Sequence, residues 1–330
     1  MRTPDFEQIL KILRREEPDR PTIFEFALND ELMADNTGKA PDYLDFAGRA
    51  QAFARLGYDY ATVGFGKFFE IKAPERQASY SANDTVTIPD RAGFETYRWP
   101  DPDKLSYQWL DQAAGALAAN QKWIPVGPGG VLENVLALMG FDNLCFALAD
   151  DPELVKNIAD EVGSRLLRYY QRVLEYDTVG ACFVNDDWGF CSQPMLPPDV
   201  MRKLIVPWHR QMVECIHTAG RPAILHSCGN LESLMEDIIT VCRFDGKHSF
   251  EDKILPVEQA YEQFHDRIAI MGGIDLDFLC RAKPEAVYQR SKEMLERSRG
   301  RGGFALGSGN SIPYYVPAAN YRAMCRAALA

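Results

Sequence analysis

His226 and Cys228 stand one residue apart, directly after the apolar run 222–225. In extended chain, residues i and i+2 point to the same side. An imidazole and a thiol therefore leave the end of this run side by side. That pair suits a soft divalent metal, zinc above all. Two ligands do not make a site, and a buried histidine beside a buried thiol would look the same in sequence.

Other groups able to do chemistry follow apolar runs in the same way. They are Asn29 and Asp30, the run 127–130 (Gly-Pro-Gly-Gly), and 185–188 (Asn-Asp-Asp-Trp). Then come His248 and Glu251, Asp275, Ser308, Asn310 and Tyr314. Asp186 lies in phase with Cys182 and Val184, so it turns one strand face polar at its end. A carboxylate there can ligate a metal or act as general acid or base. His248 and Asp275 are expected beside it as catalytic or orienting groups. Local sequence also allows plainer roles: Asp275 as a helix N-cap, and the stretch 247–251 as a helix-entry arrangement. Glu251 offers the oxygen donor of a metal site. Asn29, Trp188, Asn310 and Tyr314 are expected to contact substrate. His209, His217 and His265 sit in helical stretches and read as structural.

These groups need a scaffold that brings them together. Eight apolar runs read as strands: 22–28, 58–65, 123–126, 179–184, 222–225, 244–249, 267–271 and 304–306. Each is followed by helical patterning. Helices are expected at 5–15, 42–56 (stopped by Gly57), from the loop 98–103 to about 120, 131–139, 141–148, 152–176, 197–219, 231–240, 254–264, 283–298 and 317–329. Residues 78–98 read as a β-hairpin insertion after strand two. Strand–helix alternation implies parallel pairing with right-handed crossovers. Eight repeats fit one (β/α)8 barrel spanning 1–330, whose strand ends would converge on one mouth. A doubly wound sheet is the competing architecture, but no Gly-x-Gly-x-x-Gly follows the first strand.

Composition narrows the function. The chain has 330 residues, 46% hydrophobic and 25% charged, with net charge -11. That balance argues against nucleic acid and against anionic membrane surfaces as partners. None of the 8 cysteines forms a Cys-x-x-Cys pair. They read as free thiols in a reducing compartment. The N-terminus lacks an apolar signal region, and no run is long enough to span a bilayer. A cytoplasmic protein is expected.

Three linked motifs resemble the uroporphyrinogen decarboxylase superfamily. They are 225–230 (Leu-His-Ser-Cys-Gly-Asn), 272–275 (Gly-Gly-Ile-Asp), and 307–313 (Gly-Ser-Gly-Asn-Ser-Ile-Pro) with Asn320. The resemblance implies a (β/α)8 barrel. It also implies one of two chemistries. Decarboxylases of the superfamily bind a substrate with eight carboxylates through an Arg-rich segment after the first strand. Here 21–38 holds no Arg or Lys and carries Glu25, Asp30, Glu31 and Asp35, a field that repels a polyanion. The second branch comprises corrinoid-dependent methyltransferases. There a His-x-Cys and a later Cys bind zinc. His226 and Cys228 match the first two; the last exit loop has Ser308, Asn310 and Ser311 and no Cys. An oxygen ligand is then implied, from Asp186, Asp187, Glu251 or Asp275, with Glu251 preferred.

The resulting expectation is a metal-assisted methyltransferase-like enzyme. Its cofactors would be Zn2+ or another divalent metal, and a corrinoid (cobalamin) carried by a partner protein. Its substrate would be a small methyl donor or acceptor. The competing readings are a decarboxylase of a small carboxylated substrate and a non-catalytic ligand- or corrinoid-binding barrel.

Overall fold

A computed structural model of the protein describes residues 2–34, 38–42, 45–64, 66, 68–72, 83 and 86–329. Seven strands form one parallel sheet in chain order: β1 (Tyr60–Gly64), β2 (Lys122–Val126), β3 (Cys182–Asn185), β4 (Ala223–His226), β5 (Gly246–His248), β6 (Ala269–Met271) and β7 (Phe304–Ala305). β3, β4, β5 and β6 are buried almost throughout. Such runs suit a parallel sheet, whose strands are covered on both faces. Register places the site: Asn185 pairs with His226, and His226 with His248. Three strand ends therefore stop level with one another.

The helices used below are α1 (Glu7–Leu13), α2 (Phe46–Leu56), α3 (Val131–Met139), α4 (Pro152–Val173), α5 (Val206–Thr218), α6 (Val257–Phe264), α7 (Pro284–Ser298) and α8 (Ala318–Leu329). α2 ends at Gly57, whose φ of 96° makes it a left-handed C-cap, as expected. α4 starts on Asp151, which accepts the Leu154 N–H. No single helix among the described residues is long and apolar enough to cross a membrane.

Three expectations change. The first strand, 22–28, forms no ladder among the described residues. It makes isolated parallel bridges, Ile23 to Leu306 and Leu28 to Ile312. The cause is local. The Tyr60 hydroxyl accepts the Glu25 N–H and donates to the Glu25 carbonyl, both at 2.7 Å. A side chain on β1 thus takes the backbone groups that a strand partner would use. Second, the described part of the supposed hairpin contains a helix, Arg91–Thr96, opened by Asp90 accepting the Gly93 N–H. The Asp90–Gly93 signal read as a turn is that helix's first turn. Residues 73–82 and 84–85 of this region lie outside the described residues. Third, the helix expected over 197–219 is two, Pro198–Leu204 and α5. Pro207 has no N–H to continue the first helix and opens the second.

Candidate metal centre

Asp187, His226 and Cys228 come together past the ends of β3 and β4. Their ligand atoms lie within 4.8 Å of one another. His226 Nε2 is 3.8 Å from Cys228 Sγ and 3.9 Å from Asp187 Oδ1. Donors around a tetrahedral zinc sit about 3.3–3.6 Å apart, so the two pairs that include His226 Nε2 would close by up to about half an ångström. Asp187 Oδ1 also accepts the Cys228 N–H at 2.8 Å, which ties the two loops together. A close backbone approach permits this. Gly229 has φ +88°, and a Cβ there would lie 2.1 Å from the Gly189 carbonyl oxygen.

Hydrogen counting fixes the state of His226. The Ser308 carbonyl can only accept, so His248, 3.2 Å away, presents Nε2–H to it. Burial, and then His226, push the His248 pKa well below its ordinary value, so the ring is neutral. Its Nδ1 is then an acceptor. His226 Nδ1 lies 2.7 Å from it and must donate. Burial likewise lowers His226 to about 4. A neutral imidazole with hydrogen on Nδ1 has a bare Nε2, and that is the atom facing Asp187 and Cys228. Phe26 stacks on the ring at 4.2 Å and 11° and holds its plane.

The sulfur is held as well. Asn310 Nδ2 donates to Cys228 Sγ at 3.2 Å, and the Ser249 hydroxyl lies 3.7 Å away. Burial, with the Asp187 charge adding to it, pushes the thiol up to about 12. Without a cation the pocket disfavours a thiolate beside a carboxylate. A divalent ion would reverse that balance. One imidazole nitrogen, one sulfur and one carboxylate oxygen are a donor set that zinc accepts.

A residue that the sequence reading passed over stands behind this arrangement. Glu25 is fully buried. Its oxygens meet Ser308 N at 2.7 Å and Ser308 Oγ at 2.6 Å. Ser308 Oγ also lies 2.5 Å from the Asn310 carbonyl. The hydroxyl has one hydrogen, and the Asn310 carbonyl can only accept it. Glu25 therefore supplies the other hydrogen and is a neutral acid. Burial agrees, raising its pKa to about 8 against the N–H and hydroxyl of Ser308. Ser308 thus reaches Cys228 through Asn310 and His226 through His248.

A carboxyl near 8 in the fold and near 4.5 in the unfolded chain holds its proton more tightly when folded. Its contribution to stability is complete below about pH 4.5 and falls as pH rises toward 8. Glu25→Gln keeps the neutral shape. In thermal unfolding between pH 5 and 9, the variant should lack a decline on the order of a few kcal/mol that the parent shows. Parallel curves for the two proteins would refute the neutral assignment.

The remaining candidates are placed elsewhere. Asp186, expected to be catalytic, is fully buried and turned into the start of α3. It accepts from Leu132 N, Glu133 N and Trp188 Nε1, each at 2.9 Å. β3 ends at Asn185, so strand phase no longer governs it. Burial, with Glu133 nearby, raises its carboxyl well above the usual range, and those N–H donors oppose the shift. Trp188 is fully buried on this carboxylate and faces no mouth. Asp275 caps the helix Leu276–Arg281 and accepts the Asp252 N–H. Asn29 caps the turn Asp30–Met33 and donates to the Pro313 carbonyl. Tyr314 is 85% exposed and packs edge-on to Tyr315. Glu251 is outside the donor group, and the oxygen beside His226 and Cys228 belongs to Asp187. Of the sequence candidates, Asp187, His226, Cys228, His248 and Asn310 are brought together. His209, expected to be structural, is buried against Trp188 and Asp186.

The uroporphyrinogen decarboxylase (URO-D) family model matches residues 6–330, and the chain belongs to that family. No curated protein matches it. Among solved structures it resembles a methyltransferase from Methanosarcina mazei, with TM-score 0.76, 18% identity, 97% of this chain and 96% of that one covered. The intracellular xylanase TsXylA of Thermoanaerobacterium saccharolyticum is a much looser match, with TM-score 0.45, 10% identity and coverage of 93% and 98%. The first likeness is one of fold over nearly the whole of both chains.

Proposed function

We propose that the chain is a metal-assisted methyltransferase acting on a small substrate. In this reading Asp187, His226 and Cys228 hold Zn2+ or a similar divalent cation. The protein works in the cytoplasm with a corrinoid carried on a partner protein. Residues 1–330 act as one (β/α)8 domain, in which segment 22–25 is the eighth stave between β7 and β1. The observation that carries the reading is the bare Nε2 of His226, set by the chain through His248 to the Ser308 carbonyl and aimed at a carboxylate and a thiol.

Bound there, the cation would supply Lewis acidity, lowering the pKa of a thiol or polarising a methyl-bearing oxygen. The protein's own groups do the rest. His248 orients His226 and prevents its Nδ1 from competing. Asn310 restrains the Cys228 sulfur. Phe26 shields one face of the imidazole from water. Membership of the family and the fold shared with a methyltransferase support this reading. The lack of basic residues in 21–38 weighs against a polyanionic substrate.

The test joins metal and methyl measurements. Protein purified without added metal should carry about one zinc per chain. It should methylate cob(I)alamin from some member of a panel of small methyl ethers, methylamines and methyl thioethers, read from the cobalamin spectrum. Chelation should stop transfer, and zinc should restore it. Metal-free protein with chelator-insensitive turnover would overturn the reading.

A further inference from the structure

β5 alternates like any strand. His248 turns toward His226, so Lys247 turns to the opposite face, under the helix layer. There Lys247 is only 4% exposed. Its ammonium donates to the Ser249 carbonyl at 2.7 Å and lies 4.3 Å from the centre of the Phe250 ring. Among the described residues it has no carboxylate within 4.0 Å. An ammonium carries three N–H donors, and one has a protein acceptor. A buried cation left in this state is costly unless something else accepts from it.

Lys247 lines a cavity of about 140 Å3. Leu231, Met235, Phe250, Ile254, Leu255 and Phe264 give it an apolar wall, and Asn230, Glu232, Glu251 and Gln263 add polar groups. A hole of roughly 150 Å3 takes one benzene-sized molecule. The cavity ends close to the donor group. Gly229 and Ser249 are on its wall, and Ser249 Oγ is 3.7 Å from Cys228 Sγ.

We propose that this cavity binds a small apolar monocarboxylate, with its carboxylate on Lys247 and a ring-sized or short-chain body among the apolar side chains. The chemistry of the lining selects this class. The free N–H groups call for an acceptor, and a carboxylate also matches the ammonium charge. The volume limits the body to about one ring. A second carboxylate would face apolar side chains, Glu232 or Glu251, which disfavours it. An ammonium head in place of the carboxylate would leave the Lys247 N–H groups without an acceptor. The site goes beyond methyl transfer and does not rest on it. On that reading it makes a small apolar monocarboxylate the class of molecule brought to the cluster.

Calorimetric titration of the whole protein tests the site without turnover. Benzoate and hexanoate are the probes. Benzylamine and benzene-1,4-dicarboxylate are the controls. Benzoate or hexanoate should bind saturably at one per chain, and neither control should. Lys247→Met should weaken binding at least tenfold. Met235→Trp, which fills the cavity from another wall, should abolish it while zinc stoichiometry stays at the parent level. No saturable binding of either probe would overturn the proposal. So would equal affinity in Lys247→Met, equal binding of benzylamine, or unchanged binding in Met235→Trp, which decides the matter should Lys247→Met fail to fold.

Discussion

Asp186→Ala should cost the fold about 3 kcal/mol or more, and Asp186→Asn a smaller share of that. The carboxyl group accepts three N–H groups: the buried Leu132 N and Trp188 indole, and the part-buried Glu133 N at the start of α3. Each buried donor left unpaired costs about 1–3 kcal/mol. Truncation also opens a hole against Gly130, where a Cβ would lie only 2.1 Å from Asp186 Cβ. Asparagine keeps the shape but has only one oxygen. Oδ1 serves Glu133 N, and Oδ2 serves both Leu132 N and Trp188 Nε1, so either amide orientation sets a donor against a donor. Equilibrium urea unfolding measures both losses. Zinc binding separates this role from catalysis. Asp186→Asn should keep the metal stoichiometry of the parent, because the oxygen beside His226 and Cys228 belongs to Asp187. A stable Asp186→Ala with no metal would reverse the two assignments.

This pair of aspartates shows how far the sequence carried the site. Strand phase counted from Cys182 and Val184 pointed Asp186 at the mouth. That counting holds only while the chain stays extended, and β3 stops at Asn185. Beyond it the unpaired N–H groups of α3, more than 50 residues away in sequence, take the Asp186 carboxyl, and the Cys228 N–H takes Asp187. His226 and Cys228 were legible because they stand two residues apart, and Cys228, although past the end of β4, still brings its sulfur to 3.8 Å from His226 Nε2. The parallel sheet was legible because buried runs alternate with amphipathic helices. The first strand was not, because its ladder to β1 is replaced by the Tyr60 hydroxyl. Glu25 was counted only as one of four acids in 21–38 whose field repels a polyanion. Its partner Ser308 lies 283 residues on, and no local pattern reports such a contact. Glu251 was preferred as the oxygen ligand from its position after a strand. The loop beyond β5 instead places it on the wall of the Lys247 cavity.

The proposed metal centre yields the second large effect, an ordered series of zinc affinities. His226→Ala, Cys228→Ser and Asp187→Ala should each abolish stoichiometric zinc in competition with a chromogenic chelator. Glu251→Ala should leave it intact. The informative member is His248→Phe. A phenyl ring suits the surroundings, since His248 already packs against Phe24, Phe26 and Phe183. It cannot accept from His226 Nδ1 at 2.7 Å. His226 then loses the group that keeps its hydrogen on Nδ1, and the Nε2–H tautomer, which cannot ligate, competes. Partners that orient a metal's ligands are worth about 10–100-fold in affinity. His248→Phe should therefore bind zinc about 10–100-fold more weakly, and it should also lose stability, because His226 Nδ1 and the Ser308 carbonyl are left without their buried partner. Parent-like affinity in His248→Phe would mean that the bare Nε2 needs no help from the Ser308–His248 chain. A loss in Glu251→Ala as deep as in Asp187→Ala would move the oxygen ligand across the site. The series thus separates holding the metal from preparing the ligand that holds it, a distinction that activity alone would blur.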